Sequence, residues 1–205
     1  MLSIVIQSGG SSSRMGQDKA LVPFLGRPLI ERIVQRLAPL AGEIWINTNR
    51  PEAYEFLGLP LVADRIPGRG ALGGLYTCLS AATLPLVAVV ACDMPFVNRG
   101  LLAAACDLLL HPEDALPPDA GIPRTVHGVE PFHAVYRKET CLPAVEAAVQ
   151  AGKWRVDSWF SAVNIRWIAA EEIERHDPRQ CAFINVNTPE DLAKAEQLAR
   201  SEPDL

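Results

Sequence analysis

The chain has 205 residues, 49% of them hydrophobic, and a formal net charge of -5 at pH 7, enough for one well-buried core and therefore a single expected domain. The acidic balance argues against broad electrostatic binding to nucleic acid, which needs a clustered basic face. No apolar run approaches the roughly 20 residues of a bilayer span, and the N-terminus lacks the basic region and long apolar run of a secretory signal, so no membrane association is expected and the cytoplasm is the expected compartment.

In chain order, residues 2–6 form a short apolar run ended by Gly9-Gly10, the pattern of a buried strand entering a loop. A helical period follows at Leu29, Ile30, Ile33, Val34 and Leu37, with Pro28 at its first turn. Residues 43–47 and 59–62 read as strands and residues 72–82 as a helix. Residues 86–91 read as a fully buried strand of parallel-sheet type. Segment 114–130 is rich in Pro and Gly without a period and reads as a surface excursion. Thereafter 132–136, 163–168 and 182–186 read as strands and 139–150 as a helix. Thr188-Pro189-Glu190-Asp191 has the composition of a helix start, with an N-cap threonine, proline at the first position and acids in the first turn.

Strands alternating with helices predict a doubly wound α/β sheet, in which ligands collect beyond the carboxyl ends of the strands. The informative polar residues fall at those ends: 8–19 after the first strand, Asn47 and Asn49 after the second, Asp64 after the third and Asp93 after the fourth. Four loops thus converge on one rim.

The first of these loops, Ser8-Gly9-Gly10-Ser11-Ser12-Ser13-Arg14-Met15-Gly16-Gln17-Asp18-Lys19, carries three glycines and two cations. Glycines let backbone N–H groups approach phosphate oxygens, and Arg14 and Lys19 offset triphosphate charge. A bare turn would explain Gly-Gly-Ser-Ser-Ser alone, but it has no need of placed cations after a buried strand. Neither the Walker pattern nor G-x-G-x-x-G fits. Asp93, in Cys92-Asp93-Met94-Pro95, emerges from the most hydrophobic run, where a carboxylate suits Mg2+ held partly by substrate phosphates; a turn cap is the plain alternative. Asp64 is open to the same two readings.

The run Gly68-Arg69-Gly70-Ala71-Leu72-Gly73-Gly74 enters a helix with glycines where larger residues are usual, so that Gly70 and Gly74 fit either close approach of a base or ribose or tight helix packing. Asn47 and Asn49 suit a nucleobase edge or a turn. His133 stands in a plausible site strand, although a lone histidine is more often structural. Trp45, Trp154, Trp159 and Trp167 lack the spacing of a nucleic-acid stacking platform and read as core or subunit contacts. The five cysteines form no C-x-x-C pair, which predicts reduced, mostly buried thiols. H-E-x-x-H and G-x-S-x-G are missing from the chain, so hydrolase readings lose support.

Taken together, Gln7 to Lys19, Asn47-Thr48-Asn49-Arg50, Cys92-Asp93-Met94-Pro95 and Phe183-Ile184-Asn185-Val186-Asn187-Thr188-Pro189-Glu190-Asp191 resemble the molybdenum cofactor guanylyltransferases, the MobA family. The resemblance covers nearly the whole chain. It implies a Rossmann-like nucleotidyltransferase fold, a mostly parallel mixed sheet with helices on both faces, and transfer of GMP from GTP to the terminal phosphate of molybdopterin with Mg2+ as cofactor. By motif, Gln7, Ser8, Gly9 and Asn47 would read guanine, and Gly10 would also bind the nucleotide. Arg14 and Lys19, with Gly16, would hold the phosphates, Asp64 would contact the nucleotide, and Asp93 would bind Mg2+. His133, Arg155, Asn185 and Asn187 would face molybdopterin. Residues 1–110 would form the nucleotide-binding half and 111–205 the acceptor half. The resemblance further implies a molybdoenzyme or insertion chaperone as recipient, with a monomer as the expected state. Gln7-Ser8 departs from the family's L-A-G-G, setting a polar side chain beside the base. Rival readings are a sister enzyme using CTP on molybdopterin or another triphosphate on a sugar or alditol phosphate, and, from another class, a non-catalytic nucleotide sensor.

Overall fold

A computed structural model describes residues 1–8, 18–112 and 116–202. All six residues of β1 (Leu2–Gln7) are buried, and five of six are in β6 (Leu86–Ala91), because both strands lie mid-sheet with helices on each face. β4 (Glu43–Asn47) and the two-residue β5 (Leu61–Val62) extend the sheet on one side. On the other side stand β9 (His133–Arg137), β7 (Ala120–Thr125) and β10 (Ile165–Ile168), with β8 (Gly128–Val129) appended to β7. The strand order is β10-β7-β9-β6-β1-β4-β5. β5, β4, β1 and β6 pair in parallel, as do β7 and β10, while β9 runs antiparallel to both its neighbours. Two reversals restore direction, so β7 and β10 again run with β1. A small ribbon of β2 (Pro23–Phe24) and β3 (Arg27–Pro28) stands apart.

Side-chain alternation assigns the faces. Leu2, Ile4 and Ile6 of β1 and Ala88 and Val90 of β6 pack under α1 (Leu29–Leu37), α3 (Arg99–Leu110), α5 (Ala170–His176) and α6 (Pro189–Ser201). Val5, Val87 and Val89 pack under α2 (Gly70–Ala81) and α4 (Lys138–Gln150). Each such buried Val, Leu or Ile side chain contributes about 1.5–3 kcal/mol of transfer free energy. α1 buries Leu29, Ile30, Ile33 and Leu37, the face its periodicity predicts. α6 starts as its composition requires: Thr188 Oγ1 accepts from Asp191 N at 3.1 Å while Thr188 N donates to Asp191 Oδ2 at 2.9 Å.

Two expectations need correction. Segment 114–130 is a surface excursion only in part: residues 120–123 of β7 are buried in an inner strand, while Leu116 and Val126 to either side are exposed. Its turn-like residues have other reasons to be there. At Gly121 a Cβ would lie 3.3 Å from Ala105 Cβ, so the glycine admits α3 close to the sheet. Pro123 lies beyond the pairing with β9, which ends at Gly121; it faces Ile168 of β10, and its carbonyl accepts from Glu130 N at 3.0 Å. Conversely, residues 182–186 form no strand: Ile184 N turns back to Cys181 O at 3.0 Å, and Val186 N donates to Asp93 O at 2.8 Å. This segment is a loop strapped across the end of β6. α3 and α5 add helices beyond those predicted. All five cysteines are free, four buried and Cys92 half-buried. Among the described residues, no helix is long and apolar enough to cross a membrane.

Candidate active site

Backbone pairing continues past the strand ends and draws the predicted loops together. Ser8 N bonds Asn47 O at 2.8 Å, Thr48 N bonds Val62 O at 2.8 Å, and Cys92 N bonds Gln7 O at 3.1 Å. Because β5, β4, β1 and β6 are neighbours in that order, Asp64, Asn47, Gln7 with Ser8, and Asp93 follow one another along a single rim.

At the β6 end of the rim, three segments meet. Lys19 opens a short 3-10 turn, Lys19–Leu21, capped by Asp18, whose Oδ1 accepts from Ala20 N at 3.2 Å. Its Nζ donates to Asn187 Oδ1 and lies 3.5 Å from Asp93 Oδ2. Asn187 is held by the strap whose Val186 bonds the Asp93 backbone, and by Asn187 N donating to Asp191 Oδ2 at 3.1 Å. The Asp93 side chain is 19% exposed. Burial pushes its carboxyl above the ordinary range, and the Lys19 charge holds it back. Next to it, burial and then the Asp93 charge push the Cys92 thiol up to about 12. At neutral pH that thiol is no nucleophile. Among the described residues no group of three or more His, Cys, Asp or Glu is arranged to hold a metal. A cation here would rest on Asp93 and on oxygens brought by a ligand, the donor set usual for Mg2+.

The structure adds residues that sequence reasoning passed over. Ser8 Oγ and the Tyr54 hydroxyl share a hydrogen bond, and that hydroxyl donates to Asp18 Oδ2 at 2.8 Å. Arg50 joins the same carboxylate at 2.7 Å. Tyr54 is fully buried, and burial raises its phenol far above the normal range, so it stays a neutral donor. The two residues flanking segment 9–17 are thereby tied to one side chain 36 and 46 positions away. Arg14, Gly9, Gly10 and Gly16, which carried much of the phosphate reading, lie outside the described residues.

On the β4 side, Asn47 is buried and its amide is committed. Nδ2 donates to Val62 O at 3.2 Å and to Asp64 Oδ1 at 3.0 Å. Asn49 Nδ2 donates to Asp64 Oδ2 at 2.8 Å, and Asp64 N donates to Asn49 Oδ1 at 2.9 Å. Both asparagines therefore orient one carboxylate.

Gly74 and Gly70 have reasons other than contact with a base or ribose. At Gly74 a Cβ would lie 1.8 Å from Gln7 Nε2, so the glycine is the seat of the Gln7 side chain. Gly70 has φ +56 with open space around it, so its need is conformational. His133 is likewise corrected: it is buried in β9, its Nε2 accepts from Asn98 N at 3.0 Å at the start of α3, and its ring meets Phe183 edge-on at 5.2 Å. Burial lowers it to about 4, so it is neutral and structural rather than acceptor-facing. Asn185 spends Nδ2 on Phe183 O within the strap. Arg155 is 81% exposed in a loop after α4, forked onto Asp157.

With this rim in view, known proteins supply its relationship. A model of the MobA-like NTP transferase domain matches residues 4–163. The chain belongs to the MobA-like NTP transferase family. It is 35% identical over 201 residues to the probable molybdenum cofactor guanylyltransferase of Peptoclostridium acidaminophilum, covering 98% of this chain and 90% of the relative. It is 36% identical to the protein of the same description from Carboxydothermus hydrogenoformans, covering 94% of each. Among solved structures, molybdopterin-guanine dinucleotide biosynthesis protein A from Archaeoglobus fulgidus superposes with a TM-score of 0.81 at 24% identity, over 97% of this chain and 99% of that one. A cytidylyltransferase acting on 2-C-methyl-D-erythritol 4-phosphate, from Thermus thermophilus, gives 0.66 at 20% identity, over 96% and 98%. The fold is thus the Rossmann-like nucleotidyltransferase fold, and this MobA-like chain is a nucleotidyltransferase.

Proposed function

We propose that this chain transfers GMP from GTP to the terminal phosphate of molybdopterin, giving molybdopterin guanine dinucleotide and pyrophosphate. The relatives named molybdenum cofactor guanylyltransferase support the substrates. The observation that carries the chemistry is the meeting of Lys19, Asp93 and Asn187 from segments up to 168 positions apart. Residues 1–110 supply the nucleotide side, with Gln7, Ser8, Gly9, Gly10, Asn47 and Asp64 toward the base and ribose and Arg14, Gly16 and Lys19 toward the phosphates. Residues 111–205 supply the acceptor side through Arg155, Asn185 and Asn187. The compartment we assign is the cytoplasm.

An oxygen of the acceptor phosphate attacks the α-phosphorus in line, one O–P bond forming as the bond to the β-phosphate oxygen breaks and pyrophosphate departs. Lys19 and Arg14 stabilise the charge that gathers on the leaving pyrophosphate. Asn187 sets the Lys19 ammonium beside Asp93, and the strap fixes both. Mg2+, held by Asp93 and phosphate oxygens, would supply charge neutralisation. No covalent enzyme intermediate is required.

Pyrophosphate release with Mg2+ and each NTP, with and without molybdopterin, tests this reading. GTP-specific, molybdopterin-dependent release is expected. Preference for CTP assigns the chain to a sister reaction, and nucleotide binding without release assigns it to a sensor.

A further inference from the structure

Arg69 and the exposed Trp154 are left unused by the chemistry above, and the fold brings them together. Trp154 is 62% exposed, whereas Trp159, five residues on, is 2% exposed in the core. The core reading therefore fails for this ring. An indole exposed in this way forgoes the largest apolar contact any side chain can make. The Arg69 guanidinium stands over the Trp154 ring at 5.6 Å.

Arg69 is itself held in place. It sits between Gly68 (φ +75) and Gly70 (φ +56), two left-handed positions that turn the chain into α2. At Gly73 a Cβ would come within 2.6 Å of Arg69 Cβ. The missing Cβ therefore lets the arginine stem lie against the first turn of α2. Trp154 follows the left-handed Gly152 (φ +74) that ends α4, and Val156 and Trp159 anchor the far side of its loop in the α2 and α4 core. β9 runs away from the rim, so α4 returns to it, and the end of α4 meets the start of α2 at the same edge as Asp93 and Lys19. Lys153 and Arg155, both exposed, flank the indole.

We infer that Trp154 and Arg69 form a stacking subsite for the planar fused ring of the acceptor, with Arg155 and Lys153 toward its anionic groups. An exposed indole with a guanidinium at its face, bordered by two cations, takes a flat heteroaromatic ring carrying phosphate. This rests on the proposed acceptor and names the part of the protein that holds its ring.

The test has two arms. In the pyrophosphate assay, Trp154→Ala is expected to raise the KM for molybdopterin about tenfold, the usual loss when a stacking aromatic is truncated, while Trp154→Phe recovers most of it and the KM for GTP stays put. In the second arm, 6-hydroxymethylpterin is titrated into wild type and Trp154→Ala, and quenching of the pterin fluorescence is read without GTP. Saturable quenching by wild type that Trp154→Ala loses supports the platform even where wild type fails to turn over molybdopterin, so the acceptor reading and the subsite fail separately. Equal quenching by both proteins, an unmoved acceptor KM, or a rise confined to the GTP KM overturns the subsite, the last by assigning the ring to the nucleobase.

Discussion

The two edges of the sheet differ in kind. At the carboxyl edge the space is polar and contested: Lys19, Asp93, Asn187, Asp64 and Asn47 converge on one another from four strand ends and a strap. At the opposite edge lies a broad cavity of about 840 Å³, lined by Leu109, Leu110, Leu116, Val163, Asp119 and Arg137. Its charged groups nevertheless point away from chemistry: Arg137 donates to Leu109 O at 2.7 Å, and Asp119 accepts from Asn164 N at 2.8 Å. Room alone does not make a site. A reactive edge is recognised by charges that several distant segments are folded to bring together.

The comparison breaks most sharply under substitutions of the reactive rim. Asp93→Asn and Lys19→Ala are each expected to cut turnover by roughly 10²–10³, the usual cost of removing a charge-stabilising group. Steady-state pyrophosphate release at saturating GTP and Mg2+ measures it, and turnover near wild type in either variant removes that residue from the chemistry. A rise in the KM for GTP with kcat intact would instead mean that Lys19 binds ground state and transition state alike.

Gly74→Ala sharpens the nucleotide side of the rim. The new methyl meets only the flexible end of Gln7, so the melting temperature should barely change, while the displaced carboxamide raises the KM for GTP by about two- to tenfold, one hydrogen bond's worth. Adding Gly74→Ala to Gln7→Ala should then cost nothing further. Additive losses in that cycle would mean that Gly74 serves the nucleotide directly.

The acid limb of kcat/KM for GTP offers a finer measure. Asp93 acts as a carboxylate, and burial raises its protonation range, so activity should fall with decreasing pH at values above those of an ordinary aspartate. Lys19→Met removes the charge that restrains the rise, so the Asp93 carboxyl carbon, followed by NMR, should titrate higher still in that variant; a titration at lower pH would deny the ion pair. The smallest effect belongs to the opposite edge. Leu110→Lys, at a half-exposed position on the cavity wall, should leave turnover within about twofold and stability within about 0.5 kcal/mol. A large loss of activity there would erase the distinction between the edges.

Much of the fold was legible because buried parallel strands are continuous apolar runs and α1 and α6 carry clear period and cap signals. β7 was not, since Gly121 and Pro123 read as turn residues until the closeness of Ala105 and the end of the β9 ladder are known. The loop at 182–186 fails the opposite way: its apolar residues cover the core from a strap, and a strap carries no strand period. In the site, Lys19, Asp93 and Asn187 could be named from loop position and motif, but not that they touch. The role of Asn47 in orienting Asp64, the Gln7 seat on Gly74 and the burial of His133 depend on contacts between distant segments. Local pattern carries no record of them.

The Tyr54 bridge has a thermodynamic meaning beyond geometry. By holding Ser8 and Asp18 to a single buried hydroxyl, it closes a ring of chain during folding, so the entropy of bringing those ends together is spent before any ligand arrives. With that cost already met, more of a triphosphate's contact energy shows as affinity.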